Sequence, residues 1–97
     1  MRHEYEVALV VRVDSNEEVI NESVNQIKAW IEADEFGEVT KIDRWGRRKL
    51  AYQIDRQREG FYVLMNAAIE TDHLDELERN LKLASTVLRY LIIRPDN

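Results

Sequence analysis

The chain has 97 residues, no cysteine and a formal net charge of −5, with 44% hydrophobic and 34% charged residues. This length and composition are typical of one small folded domain and exclude wholesale disorder. The lack of cysteine excludes a disulfide scaffold, a thiolate metal site and a cysteine nucleophile. Because the apolar run VALVV near the N-terminus is much too short for a signal segment or a membrane span, we expect a soluble, unprocessed single domain over residues 1–97.

The charge is unevenly distributed along the chain. Residues 1–40 hold 3 basic and 10 acidic residues, whereas residues 41–62 hold 7 basic and 3 acidic ones, and residues 63–97 hold 4 and 6. The overall acidity argues against indiscriminate nucleic-acid binding, but a local basic segment can still direct a polyanion to one part of the surface.

The first two elements are a strand and an amphipathic helix. Alternation of side chains over residues 5–13 predicts the strand. Ser15 with Glu18 three residues later is a capping-box signature and predicts a helix over residues 16–33. Gly37 is expected to end this helix or to form the turn that follows it. The expected buried face consists of Ile20, Val24, Ile27 and Ile31, with Trp30 beside it.

A long second strand and a third strand follow. Val39 and Ile42 are out of phase, and a strand bent by a bulge at Gly46 would explain them together with the regular alternation beyond it. The polar residues 57–60 predict a turn, and residues 61–69 predict an adjacent antiparallel strand. The residues expected to anchor strand two in the core are Leu50, Tyr52 and Ile54.

The last two predicted elements are a helix and a strand, and they complete the fold. Thr71 is expected to cap a second helix over residues 72–83, with Leu74, Leu77 and Leu81 on one face. Residues 86–94 are apolar on both faces and predict a central strand. The order β-α-β-β-α-β predicts an α+β, ferredoxin-like fold, with a four-stranded antiparallel sheet, two helices on one face and the other face open.

Nothing in the sequence predicts catalysis, a metal site or a cofactor. His3 and His73 have no second ligand at metal spacing and are interpreted as polar surface residues. The serines have no base at a defined spacing, and the three glycines form no phosphate-binding loop. We therefore expect a binding protein rather than an enzyme.

The basic segment of strand two is the main candidate for function. Its five cations lie within nine positions around Trp45, opposed only by Asp43, and they are Lys41, Arg44, Arg47, Arg48 and Lys49. Alternation predicts that Arg47 and Lys49 point away from the helix-packed core, while Arg48 is in the core-facing phase unless the bulge turns it outwards. Protection of an edge strand from aggregation would need fewer charges, so we favour a polyanion or partner surface, for which arginine is well suited.

Further candidates lie on strands one and four. Because these strands are neighbours in this fold, Arg2 and Arg94 are expected at the same end of the sheet. Arg89 interrupts an apolar run and is expected to face the open side, since its burial would be costly. Tyr5 and Tyr52 are candidate flat rings for stacking on ribose or bases.

Four segments together resemble the bacterial ribosomal protein S6 family. They are RHEYEVALVV near the start, WGRRKLAYQI at 45–54, FYVLMN at 61–66 and VLRYLIIR near the end, so the resemblance covers essentially the whole chain. It implies a non-catalytic, ribosome-associated, cytoplasmic protein that binds the central domain of small-subunit ribosomal RNA together with ribosomal protein S18. Gln53, Asp55 and Glu59 depart from the family's usual residues around the end of strand two.

Residue roles follow from the basic segment and the resemblance together. The RNA-binding residues are expected to be Arg2, Tyr5, Arg44, Arg47, Arg48, Lys49, Arg89 and Arg94. The residues expected to contact the partner protein are Trp45, Gly46 and Tyr52.

Two other functions remain as alternatives. The first is a non-ribosomal single-stranded RNA module that uses the sheet for stacking. Against it, the segment EGFYVLM lacks the cation and the second aromatic residue of the corresponding RNA-recognition signature. The second is a small hydrolase on the same fold, which would need an anion-binding loop where this chain has the acidic residues VDSNEE.

Overall fold

The computed structural model describes residues 1–95 and has the predicted ferredoxin-like architecture. One antiparallel sheet has the strand order β2-β3-β1-β4, with both helices packed on one face. None of the helices in the described part has the length and apolar character needed to cross a membrane. The elements are β1 (Arg2–Arg12), α1 (Glu17–Ile31), β2 (Gly37–Ile54), β3 (Gln57–Glu70), α2 (Leu74–Leu83) and β4 (Val87–Ile93), with short 3₁₀ turns at Ala33–Glu35 and Thr71–His73.

The core lies between the sheet and the two helices. Alternate residues of β1 and β3 point into it and are buried, as the period of two predicts. The predicted faces of both helices are confirmed, since Ile27, Leu77 and their neighbours are fully buried against these strands. Each such aliphatic side chain contributes roughly 1.5–3 kcal/mol when it leaves water.

The start of α1 differs from the prediction by one residue. Asn16, not Ser15, is the N-cap: it is extended, and its side-chain oxygen accepts a hydrogen bond from the Glu18 N–H at 2.9 Å. Asparagine caps as well as serine does, so the spacing to Glu18 did not distinguish them. Gly37 neither ends the helix nor forms a turn. It is the buried first residue of β2, where a Cβ would lie 2.4 Å from the Ile31 carbonyl oxygen.

The turn between β2 and β3 also lies elsewhere than predicted. It consists of Asp55 and Arg56, whose φ values are 50° and 67°, and Ile54 pairs with Gln57 across it. Positive φ at both central residues is typical of a two-residue type I′ hairpin. Gly60, which suggested a turn at residues 57–60, lies within β3 instead.

The second helix and the last strand bring two further corrections. Thr71 provides no side-chain cap; its hydroxyl donates to the Met1 carbonyl, and α2 begins at Leu74 after a 3₁₀ turn. Strand β4 is an edge strand, not a central one, because it pairs only with β1. Its outward apolar residues Leu91 and Ile93 are exposed, so apolarity on both faces did not report position in the sheet.

The prediction that His73 is a surface residue is wrong. Its ring is buried, with 4% exposed, and lies 5.3 Å from the Phe36 ring between centroids. Its Nε2–H donates to the Trp30 carbonyl oxygen at 2.8 Å, which satisfies the buried polar group. His73 therefore connects the start of α2 to the end of α1 as a structural residue.

Candidate nucleic-acid and partner interface

Strand β2 carries two bulges in its first part, and its pairing with β3 shifts register a third time between Lys49 and Ile54. The pairing of β2 with β3 shifts by one residue at Thr40 and again at Trp45, and Gly46 has the positive φ of 87° that favours glycine. The predicted bulge at Gly46 is confirmed, but the phase of Val39 and Ile42 is explained by the separate bulge at Thr40. At the second bulge, the Trp45 side chain is 54% exposed.

Part of the basic segment faces the helices, contrary to the prediction for Arg47 and Lys49. Arg47 pairs with Phe61, which packs against the core, and directly opposite residues in an antiparallel pair share a face. The Arg47 guanidinium donates to the Asp14 carbonyl oxygen, before α1, at 3.1 Å. By the same pairing rule, Lys49, opposite Glu59, lies on this side of β2.

Arg44 shares the helix side of the strand. Its Nη1 donates to the Asn21 side-chain oxygen on α1 at 2.5 Å. Lys41 is the one cation of the segment that pairs with a carboxylate in the described chain, at 3.7 Å from Asp43. The basic segment is therefore wrapped around the β2 edge and does not form one flat patch on the open face.

Arg48 lies on the open face, where it stacks over Trp45. It pairs with Gly60, which is in the outward phase of β3, and its guanidinium carbon is 5.7 Å from the Trp45 ring centroid. A cation over an indole face is attracted by the ring quadrupole. The bulge places Arg48 outwards, as the sequence analysis allowed.

The expected core anchors of β2 lie on the open face as well. Leu50 is buried against Gly60 and Val10 and is not part of the core beneath the sheet. Tyr52 is 60% exposed, and its hydroxyl accepts a hydrogen bond from Arg89 Nη1 at 2.8 Å. The prediction is therefore wrong for Tyr52, whereas Leu50 is buried as predicted, but on the open face. Arg89 does face the open side, as predicted, with its guanidinium carbon 5.8 Å from the Tyr52 ring centroid.

The end of β2 forms an apolar groove with the open face of the sheet. The groove has a volume of about 380 Å³, and its lining includes Val10, Trp45, Leu50, Tyr62, Leu64 and Leu91. The pairs Arg48–Trp45 and Arg89–Tyr52 contribute cationic and aromatic groups around it. Such a surface can receive apolar side chains of a protein while presenting charge at its margin.

Arg12 helps to position the hairpin at this end of the sheet, although it was not among the predicted site residues. Its guanidinium forms an ion pair with Asp55 in the hairpin turn, and its Nε donates to the Ser85 carbonyl oxygen at 3.0 Å. It thereby connects the hairpin tip to the body of the sheet. No local sequence signal could have shown this, because Arg12 and Asp55 are 43 residues apart.

Arg2 and Arg94 lie together at the other end of the sheet, as predicted. Arg94 Nη2 donates to His3 Nδ1 at 2.8 Å. Arg2 is surrounded by acceptors: the Glu35 carbonyl oxygen at 2.6 Å, and the carboxylates of Glu70 and Glu38 at 3.8 and 3.9 Å.

The Glu70 carboxylate also binds the chain's N-terminal amine. The distance is 2.7 Å. This hydrogen bond lowers the pKa of Glu70 and raises the pKa of the amine. Positive charge at the Arg2 end is therefore largely neutralised within the protein.

Tyr5 does not belong to the surface. Its side chain is 6% exposed and belongs to the core cluster beneath the sheet. The expectation that its ring stacks on RNA is wrong, since stacking would require the ring to leave the core.

The remaining candidates form two groups at opposite ends of β1. That strand has eleven residues, which corresponds to roughly 35 Å at the rise of an extended strand. At the hairpin end, Arg44, Arg47, Arg48, Lys49 and Arg89 make no ion pair with a carboxylate in residues 1–95. Uncompensated positive charge is therefore concentrated at the hairpin end.

Comparison with known proteins shows one family over nearly the whole chain. Residues 4–94 match the family described as ribosomal protein S6. The small ribosomal subunit protein bS6 of Alkaliphilus metalliredigens is 46% identical over 92 residues, which cover 95% of this chain and 96% of the relative. The bS6 protein of Carboxydothermus hydrogenoformans is 41% identical over 96 residues, covering 99% of each chain.

A solved structure agrees with this likeness. The 30S ribosomal protein S6 from Thermotoga maritima superposes with a TM-score of 0.88 at 27% sequence identity. The alignment covers 98% of this chain and 89% of the Thermotoga chain.

Proposed function

The chain belongs to the ribosomal protein S6 family, and on that premise we propose that it binds the central domain of small-subunit ribosomal RNA together with ribosomal protein S18. As a member of this family it is a structural, non-enzymatic constituent of the small ribosomal subunit and binds ribosomal RNA. The observation that supports the finer proposal is the set of exposed cations at the hairpin end of β2, Arg44, Arg47, Arg48 and Lys49, which make no ion pair with a carboxylate in residues 1–95 and lie beside an exposed tryptophan.

The RNA-binding part of the proposal rests on Arg44, Arg47, Arg48, Lys49 and Arg89. These side chains lie at the hairpin end, and arginine can bind phosphate oxygens through two parallel N–H groups. Three of these arginines already make contacts within the protein: Arg47 and Arg89 each donate one hydrogen bond, and the Arg48 guanidinium lies with one face over Trp45. These contacts orient the guanidinium groups and leave other N–H donors for phosphate. Arg2 and Arg94 are weaker candidates because the Arg2 end is rich in carboxylates.

The partner-protein part rests on the groove between the end of β2 and the open face. Trp45 and Tyr52 are exposed aromatic side chains on this face, and Gly46 bends the strand that carries them. Exposed aromatic residues next to a concave apolar surface are typical anchors of protein interfaces. We assign this groove to ribosomal protein S18.

Electrostatics predict that the two partners act together. A domain with a net charge of −5 repels RNA over most of its surface, so it should bind weakly by itself. A docked basic partner would offset this repulsion and extend the positive surface. Each phosphate neutralised adds roughly 0.7–0.9 to the slope of log affinity against log salt, so binding of the pair should depend steeply on salt.

The test is incorporation into small subunits. The triple variant Arg47→Ala/Arg48→Ala/Lys49→Ala should fold normally, because all three side chains are exposed, but it should no longer co-sediment with the subunit. Circular dichroism and thermal unfolding serve as the folding controls. If the variant is incorporated like the wild type, the basic segment protects the edge strand and the RNA-binding assignment fails. Tight binding of the isolated protein to the same RNA at 0.15 M salt would refute the cooperative part.

The alternative of a free single-stranded RNA module loses one of its two predicted stacking rings. That function uses aromatic rings on the open sheet surface; Tyr5 is buried on the other face, whereas Tyr52 remains exposed on the open one.

A further inference from the structure

The tip of the β2–β3 hairpin extends past the neighbouring strand. Strand β1 ends at Arg12, opposite Gly60, so residues 49–54 and 57–59 reach beyond the last β1 pair. The tip carries two exposed arginines, Arg56 and Arg58. Neither belongs to the basic segment at residues 41–49, and the family resemblance assigned no role to them.

Arg56 occupies a backbone position that disfavours it. It is the second central residue of the type I′ turn, with φ of 67°, where glycine is preferred because an L side chain is crowded in the left-handed region. Glycine would serve the turn better, so the backbone gives no reason for an arginine at this position. Asp55, at the first central position, is accounted for by its ion pair with Arg12.

Arg58 lies in a shallow basic depression beside the turn. The depression is lined by Val13, Gln57, Lys49, Arg58 and Glu59. Glu59 is the carboxylate of this set and opposes two cations. Lys49, Arg56 and Arg58 make no ion pair within residues 1–95, so the tip has a net positive charge.

We infer that Arg56 and Arg58 form a separate RNA-phosphate contact at the hairpin tip. The tight turn and the Arg12–Asp55 ion pair hold the tip in place, so the two guanidinium groups are presented with little loss of backbone entropy on binding. The tip continues the positive surface formed by Arg47, Arg48 and Lys49. The inference rests on the proposed function, because it names a further contact with the same RNA.

The test uses a double variant, Arg56→Gly/Arg58→Gln, together with the single variant Arg56→Gly. Binding is measured to a transcript of the central domain of small-subunit ribosomal RNA, with ribosomal protein S18 present, over a range of salt. Loss of two phosphate contacts should lower the salt slope by roughly 1.4–1.8 and weaken binding about 15- to 30-fold at 0.15 M salt. The matched control is Arg79→Gln/Lys82→Gln, which removes the same charge from the exposed face of α2.

The single variant separates a functional role from a structural one. Arg56→Gly should raise the midpoint of thermal unfolding, because glycine relieves the strained turn, and should still weaken RNA binding roughly 4- to 6-fold at 0.15 M salt. If Arg56 had only a structural role, replacing it with glycine would stabilise the protein without weakening RNA binding.

Three outcomes would overturn the inference. If the double variant and the α2 control bind equally well, the tip does not contact RNA, although the proposed function stands. If the variant loses binding to S18 in the absence of RNA with an unchanged salt slope, the tip contacts protein instead. If the wild type with S18 fails to bind the transcript, the proposed function fails and this inference fails with it.

Discussion

Gly60 is the position at which a single methyl group should disturb the binding surface most directly. A Cβ at this residue would lie 2.3 Å from Val10 Cγ1 and 3.4 Å from Leu50 Cδ2. Carbon atoms normally approach to about 3.5–4.0 Å, so the new methyl group overlaps Val10 by more than 1 Å. Val10 lies on the interior strand β1 and has a β-branched side chain with a stiff χ1, so it cannot easily move away.

We therefore expect Gly60→Ala to destabilise the protein by about 1–3 kcal/mol, the usual cost of overpacking. For a domain of this size that lowers the unfolding midpoint by roughly 5–20 °C. The assay is urea unfolding of the wild type, Gly60→Ala, Val10→Ala and the double variant. Since Val10→Ala removes the overlapping methyl groups, the double variant should be more stable than the sum of the single effects by about 1 kcal/mol or more. Wild-type stability of Gly60→Ala, or strict additivity, would refute this account of how the hairpin sits on the sheet.

Three further predictions concern the core, an acid-sensitive contact and the groove. Tyr5→Ala should lower the free energy of unfolding in urea by about 3–5 kcal/mol, the range for aromatic core truncations. A near-neutral effect would contradict the burial of this ring. The pKa of Glu32 is lowered by hydrogen bonds from the Val39 N–H and then from Lys28 Nζ. Its contribution to stability is therefore present above the usual carboxyl pKa and lost as the pH falls through the lowered value, so Glu32→Gln should flatten the acid side of the stability profile, and an unchanged profile would contradict this. Trp45→Ala should weaken S18 binding in calorimetry by at least 10-fold, as for an interface anchor, while the unfolding midpoint stays within about 2 °C; equal affinity would remove Trp45 from the interface.

Local pattern was sufficient for the type and order of the elements and for the helical part of the core. The spacing of Ile20, Val24 and Ile27 predicted a buried face that the structure confirms, because a helix presents every third or fourth residue to the same side wherever it packs. The bulge at Gly46 was also visible, since a glycine inside an alternating stretch indicates one. The resemblance to the S6 family rested on the same local segments and was confirmed.

The faces of β2 were not predictable in the same way. Alternation shows that successive residues of a strand point to opposite sides, but it does not show which side is the core, and each bulge reverses the assignment downstream. Leu50, Tyr52 and Ile54 were assigned to the core side of β2, so the direction expected for Arg47 was wrong. Arg47 lies opposite Phe61 on the helix side, and Tyr52 meets Arg89 on the open face.

By itself, then, the amino-acid sequence determined the order of the elements, the fold, the family and the presence of a basic segment. Tertiary structure alone decided which cations remain without carboxylate partners, because ion pairs such as Arg12–Asp55 join residues far apart in the chain. It also decided that Tyr5 is core and that Leu91 lies on an edge strand, since strand order and burial depend on pairing between distant segments. Local propensity and periodicity depend only on residues close in sequence, so they cannot predict such long-range contacts.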